Sequence, residues 1–248
     1  MCALRNIKLV LEYDGSHYYG WQRLPGNHKT IQGRLEYILA EILNEKIEVI
    51  GASRTDKDVH ALGQVVNFKT ASRLSLKEID SQLMAHLPPD IQVIGSEEVP
   101  GKFHARYLAK MKEYVYRVWN SRRKNIFERH YFYHIAAPLD IDAMNKAKAY
   151  FIGTKDFKNF TAVKSKKKNT VRTIELIDIE KSGERVTLTI KGEGFLHKMV
   201  RIIVGTLIEV GLHERSSEEV KEMFEKPSRV TSGFTAPAHA LFLKKVYY

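Results

Sequence analysis

The same succession of hydrophobic patterns occurs twice along the chain, and few folds accommodate such a duplication. In the first half, Arg5 to Tyr13 alternates with the period of two that suits a half-buried strand. Asp14-Gly15 then opens a long loop through Pro25 and Gly26. Thr30 starts a helix that sets Ile31, Leu35, Ile38, Leu39 and Ile42 on one face. Strands are expected at Lys46 to Ala52 and at Gln64 to Phe68, with a polar loop between them. Ser75 with Glu78 spells a capping box for a helix bearing Leu76, Ile79, Leu83 and Met84, and Pro88-Pro89 ends it before a strand at Ile91 to Gly95. The second half runs in the same order. A strand through Tyr107 to Trp119 and a helix from Asp142 to Phe151 come first, then strands at Arg172 to Ile179 and Arg185 to Lys191. A helix from Phe195 to Val210, a short one after the Ser216/Glu219 capping box and a strand at Ala240 to Val246 follow. The simplest fold is α+β: two tandem βαββαβ (ferredoxin-like) units fused through a mostly antiparallel mixed sheet, with a central cleft. The expected division lies near Pro100-Gly101, giving lobes 1–101 and 102–248.

Charge separates the partner classes. Lys and Arg number 40 against 29 Asp and Glu, a net +11. The excess is local. Residues 102–130 carry nine basic side chains and two acids, and residues 155–172 carry seven and one. The rest of the chain is nearly neutral, which favours binding to a polyanion by counterion release over a general solubility effect. Within the second block, Lys166, Lys167 and Lys168 are candidate RNA contacts. Aromatics interleaved with the first block (Phe103, Tyr107, Tyr114, Tyr116, Trp119) direct the expectation toward RNA or single-stranded DNA, because bases stack on such rings. The longest apolar stretch, Met199 to Val210, is interrupted by Arg201 and Glu209 and is too short for a bilayer span. No secretion signal is expected at the N-terminus, where Glu12 and Asp14 cut the apolar run short. The single cysteine, Cys2, agrees with a reducing cytoplasm and leaves no thiol cluster for zinc. The histidines show no metal-binding spacing, so no metal is expected.

Chemistry concentrates in one connection, Gly51-Ala-Ser-Arg-Thr-Asp-Lys-Asp-Val-His-Ala-Leu-Gly-Gln64. Arg54, Thr55, Asp56, Asp58 and His60 crowd there between two apolar strands. Asp56 and Asp58 could form the carboxylate pair of a glycoside hydrolase, or could serve an Asx turn that bonds its own backbone. A hydrolase would leave the localised basic charge without a role.

Arg54-Thr55-Asp56 followed by Val59-His60-Ala61-Leu62-Gly63-Gln64 resembles the signature of the tRNA pseudouridine synthase A family. The resemblance runs along the chain: Tyr13-Asp14-Gly15, Tyr19-Gly20-Trp21-Gln22, Phe103-His104-Ala105-Arg106, Tyr114-Val115-Tyr116, Asp156-Phe157, His197-Lys-Met199-Val200-Arg201 and Thr235-Ala236-Pro237. It implies isomerisation of uridine to pseudouridine in structured RNA, most simply the tRNA anticodon stem-loop around positions 38 to 40, without a cofactor. It further implies a cytoplasmic homodimer. By similarity, Asp56 is the essential carboxylate, acting on the ribose as nucleophile or as base. Arg201 pairs with it, Tyr114 stacks on the target base and is a catalytic candidate for managing the C5 proton, Arg54 enters the stem as the uridine flips out, and Arg106 binds phosphate or assists the site. The first lobe would then hold the catalytic loop and the second the basic RNA-binding segments.

One departure stands beside the carboxylate. Lys57-Asp58 replaces the family's usual Ala-Gly, and Ser53 stands where glycine is common. Asp is among the few residues that tolerate positive φ, so the turn is expected to survive. The changed charges leave room for a paralogue that modifies another RNA, such as ribosomal RNA, and for a non-catalytic RNA-binding protein.

Overall fold

In a computed structural model of the chain, the described residues are 4–26, 29–162, 169–225 and 232–248. They form an α+β structure with mostly antiparallel strands, divided into two compact units. One comprises Met1–Lys110 with Phe242–Tyr248, the other Met111–Leu241.

In the first unit, β1 (Arg5–Tyr13) is the strand its alternation predicts, with Ile7, Leu9, Leu11 and Tyr13 buried. It pairs antiparallel on one side with β3 (His60–Thr70), with Arg5 opposite Thr70, and on the other with β4 (Ile91–Val99). A short β2 (Ile50–Gly51) also lies against β3. The last strand, β10 (Leu241–Tyr247), pairs in parallel with β3, Phe242 opposite His60. Most of β3 is buried, as expected of a strand with neighbours along both edges and side chains packed on both faces. α1 (Ile31–Leu43) is capped by the Thr30 hydroxyl, which accepts from the Gly33 N–H. α2 (Leu76–His86) carries the full reciprocal Ser75/Glu78 capping box. Only Ile79 and Leu83 of α2 are buried, whereas Met84 is exposed.

In the second unit, β5 (Met111–Asn120), β9 (Arg185–Gly192), β8 (Val171–Ser182) and β7 (Gly153–Asp156) are neighbours in that order and antiparallel, and β6 (Tyr133–Ile135) runs parallel to β5. α3 (Ile141–Lys148), α4 (Met199–Gly211) and α5 (Ser217–Glu225) complete the unit. α4 is apolar nearly all round and therefore buried, with Arg201 and Glu209 the charged exceptions. Both serve the irregular segment from Ser232 to Pro237. The Arg201 Nε–H donates to the Ala236 carbonyl at 2.7 Å, and the Ala236 N–H donates to the Arg201 carbonyl at 3.1 Å. Glu209 accepts from the Phe234 N–H at 3.0 Å, and the Thr206 hydroxyl accepts from the Gly233 N–H at 3.2 Å. Gly205 lets this segment lie directly on the helix, since a Cβ there would stand 2.0 Å from the Phe234 carbonyl oxygen. Backbone groups that have no strand partner are thus satisfied by helix side chains.

Candidate active site

The loop carrying Asp56 leaves β2 and returns to β3, and it is held at several points. The Gln64 side chain on β3 accepts from the Ser53 N–H at 3.1 Å and donates to the Ser53 carbonyl at 2.7 Å. The Trp21 N–H donates to the Thr55 carbonyl at 3.0 Å, and the buried Thr55 hydroxyl shares a 2.8 Å hydrogen bond with the Tyr13 hydroxyl. Ser53 and Thr55 therefore face inward and Arg54 outward, the alternation of an extended segment. Beyond them the chain turns: the Val59 N–H donates to the Asp56 carbonyl at 3.3 Å, and Asp58 adopts φ 64°. The departure from Ala-Gly is accommodated as expected, with Asp occupying the left-handed position. Asp56 is half-buried, and the exposed Lys57 reaches over the Tyr19 ring, 5.5 Å from its centre.

The Tyr19-Gly20-Trp21 string supplies the floor of this loop. Gly20 has φ 91°, and a Cβ on it would meet the Thr55 carbonyl oxygen at 2.7 Å and the Asp56 carbonyl carbon at 2.9 Å. A Cβ on Gly15 would stand still closer to backbone, 2.2 Å from the Val59 carbonyl oxygen, and the Gly15 N–H donates to His60 Nδ1 at 3.1 Å. The buried His60 ring stacks on Phe242 with centres 4.7 Å apart. His60 therefore supports the loop's return into β3. The sequence places Gly15 and Gly20 in a loop but does not reveal that both are flattened against the Asp56 loop.

Arg106 also belongs to the first unit. It is exposed on a turn where His104 Nδ1 accepts from the Arg106 and Tyr107 N–H groups, both at 3.2 Å, and where the His104 and Tyr107 rings stack at 4.1 Å. Its guanidinium lies 5.8 Å from the Tyr107 ring centre, so cation and aromatic surface are presented together. Buried Asn67 fixes the turn by accepting the Ala105 N–H at 2.8 Å.

In the second unit, Tyr114 sits on β5, opposite Ile190 of β9, and is 6% exposed. Its ring meets Phe195 edge to face, with centres 5.2 Å apart. Arg201 is half-buried on α4 with its Nε engaged by Ala236. Tyr116, two residues beyond Tyr114, donates its hydroxyl to the Pro237 carbonyl at 3.0 Å. Burial pushes the Tyr116 phenol well above its ordinary range, so it stays a neutral donor to the same segment that engages Arg201. Lys166, Lys167 and Lys168 lie outside the described residues. Among the described residues, no group of three or more His, Cys, Asp or Glu side chains could hold a metal ion, and no helix is long and apolar enough to cross a membrane.

Over residues 9–108 and 147–248 the sequence matches the family described as tRNA pseudouridine synthase; the stretch between them, which carries Tyr114, lies outside the match. The tRNA pseudouridine synthase A of Acetivibrio thermocellus is 45% identical over 245 residues, covering 99% of this chain and 100% of its own. The protein of the same name from Bacillus sp. (strain KSM-64) shares the same identity and coverage. A tRNA pseudouridine synthase A 2 from Clostridium perfringens is 43% identical over 246 residues, with 99% and 100% covered. With most of the chain matched and these relatives aligned nearly end to end, the chain belongs to the tRNA pseudouridine synthase family.

Proposed function

We propose that the protein converts uridine to pseudouridine in tRNA, in the anticodon stem-loop, with Asp56 as the carboxylate that acts on the ribose. The reaction breaks the bond from uracil N1 to C1′ and forms one from C5 to C1′. The C5 proton leaves and N1 becomes an N–H, so no oxidant or reductant is needed. The observation that carries the reading is the Asp56 loop itself. A half-buried carboxylate is fixed through its neighbours by Trp21, Tyr13 and Gln64, as a group that must approach one sugar carbon requires.

The remaining roles rest on the family resemblance. Tyr114 is assigned to the target base, Arg201 to keeping Asp56 ionised, Arg54 to the stem from which the uridine flips, and Arg106 to phosphate. Exposure of Arg54 and Arg106 is compatible with RNA contact. The first unit is assigned the catalytic carboxylate and the second a share of RNA binding, to which Lys166, Lys167 and Lys168 would contribute charge. A homodimer would enlarge the basic surface, and the cytoplasm is where such a substrate is met. The names of the relatives specify tRNA, so a ribosomal substrate is not favoured.

The test is pseudouridine mapping on an unmodified tRNA transcript treated with wild-type protein or Asp56→Asn. Wild type should modify the anticodon stem-loop, while Asp56→Asn should bind the transcript and leave every uridine unchanged. Equal maps from the two proteins would remove Asp56 from the chemistry, and an unmodified transcript with wild type would reduce the protein to an RNA binder.

A further inference from the structure

The loop between β5 and β6 displays apolar side chains that the chain does not use for its own packing. Phe127 is 86% exposed and Ile126 61% exposed. Arg122, Arg123, Lys124, Arg129 and His130 are exposed around them. The loop is nevertheless well anchored. The Trp119 Nε1–H donates to the Arg123 carbonyl at 2.9 Å, and the Ser121 hydroxyl donates to Glu184 at 2.6 Å. Asn125 Oδ1 accepts the N–H groups of Phe127 and Glu128, at 3.1 and 3.2 Å, and its Nδ2 donates to Glu128 at 2.9 Å. The acid of the loop, Glu128, also pairs with Arg185 at 3.0 Å, which leaves the outer surface cationic. Arg117 and Arg185 lie 5.9 and 5.7 Å from the Phe132 ring centre.

We propose that residues 121–131 form a second RNA grip, in which Phe127 stacks on an unpaired base of the tRNA while Arg122, Arg123, Lys124 and Arg129 neutralise the flanking phosphates. The proposal rests on the reading of tRNA as substrate, and it assigns a contact distinct from the Asp56 loop. An anchored turn that holds a bare aromatic ring among cations matches what single-stranded nucleic acid requires: a stacking surface with charge at both sides. Charge complementarity favours RNA over a contact of this loop with its own copy, which would set like charges against like. The loop lies in the interval between the two stretches matched by the family.

The experiment titrates full-length protein with an unmodified tRNA transcript across a salt series. Phe127→Ala should raise Kd roughly fivefold to a hundredfold, the range for loss of one stacked base, and Phe127→Trp should restore binding. Its exposure predicts an unchanged thermal midpoint, which separates lost contact from lost fold. Replacing Arg122, Arg123 and Lys124 together by Gln should flatten the slope of log K against log salt by about 2. Unchanged Kd and slope in these variants would overturn the proposal, as would a fall in sedimenting mass caused by Phe127→Ala without RNA. Pseudouridine formation by wild type is scored on the same transcript. If modification proceeds while the variants bind like wild type, only the loop proposal fails. If wild type modifies nothing yet the variants lose binding, only the catalytic reading fails.

Discussion

Gly20 lies flat against the backbone of Asp56: a side chain on it would stand 2.9 Å from the Asp56 carbonyl carbon, at a φ of 91° that L-residues rarely adopt. The position of the Asp56 carboxylate is therefore set in part by an atom that Gly20 lacks. Gly20→Ala must either push the loop outward or twist its own backbone. Displacements of the order of 1 Å cost up to about a hundredfold in turnover. We expect kcat for pseudouridine formation to fall at least about tenfold, while tRNA affinity, read by filter binding, changes little. A Gly20→Ala enzyme with wild-type kcat would show that the loop has slack.

Asp58 occupies a left-handed position at φ 64°. Glycine adopts this geometry freely, whereas a β-branched residue pays about 1–2 kcal/mol. Asp58→Gly should keep both stability and kcat, and Asp58→Val should lose about 1–2 kcal/mol in urea unfolding. Loss of turnover in Asp58→Gly at full stability would instead place the second carboxylate in the chemistry.

The contact of Gly205 with Phe234 makes a strong prediction of a different kind. An added methyl group would meet a backbone carbonyl oxygen at 2.0 Å, and backbone cannot rotate away as a side chain can. Gly205→Ala should destabilise the protein by about 3 kcal/mol or more. Arg201→Lys, which removes the Nε donor to Ala236, should cost about 1 kcal/mol. Calorimetry on both variants checks the order of the two effects.

Acid should reveal the capping box of α2. The Ser75 hydroxyl and N–H donate to the Glu78 carboxylate, chiefly the hydroxyl, and hold its pKa below the usual 4.5. This contribution to stability is complete above the unfolded value and is lost as pH falls through the lower folded value. Ser75→Ala should lower stability by about 1 kcal/mol at neutral pH through the lost N-cap. The acid limb of its stability curve, measured by urea melts between pH 5 and 3, should also be shallower than that of wild type.

Where local physics alone decides the structure, the sequence was a good guide. β1, α1 and both capping boxes lie where alternation, helical spacing and the Ser–Glu pairs indicate. The strand expected from Lys46 to Ala52 is only Ile50–Gly51. Its first part is claimed by α1 side chains: Glu36 accepts the Val49 N–H at 3.0 Å, and Gln32 donates to the Val49 carbonyl at 3.1 Å. No pattern within residues 46–52 could disclose that competitor. Likewise the strand expected from Tyr107 starts at Met111, because His104 captures the N–H groups of Arg106 and Tyr107. The helix expected from Phe195 starts at Met199, after a left-handed Lys198. Asp56 was legible because its neighbours form an uncommon string. The flattening of Gly15 and Gly20 against that string was not, since it joins segments some forty residues apart. Phe127 was missed for the opposite reason: an aromatic side chain suggests core, and only a structure shows it bare.

The parallel pairing of β10 with β3 has a consequence during synthesis. His60, at the end of the Asp56 loop, stacks on Phe242, so the support of that loop includes a residue translated long after it. A ribosome that has produced the first 110 residues has made most of one unit but not the strand that completes it. The parallel partner of β3 is added only once the intervening second unit and residues 242–248 have emerged. A nascent chain that stalls before that point carries the Asp56 loop without the aromatic ring that backs its return into β3.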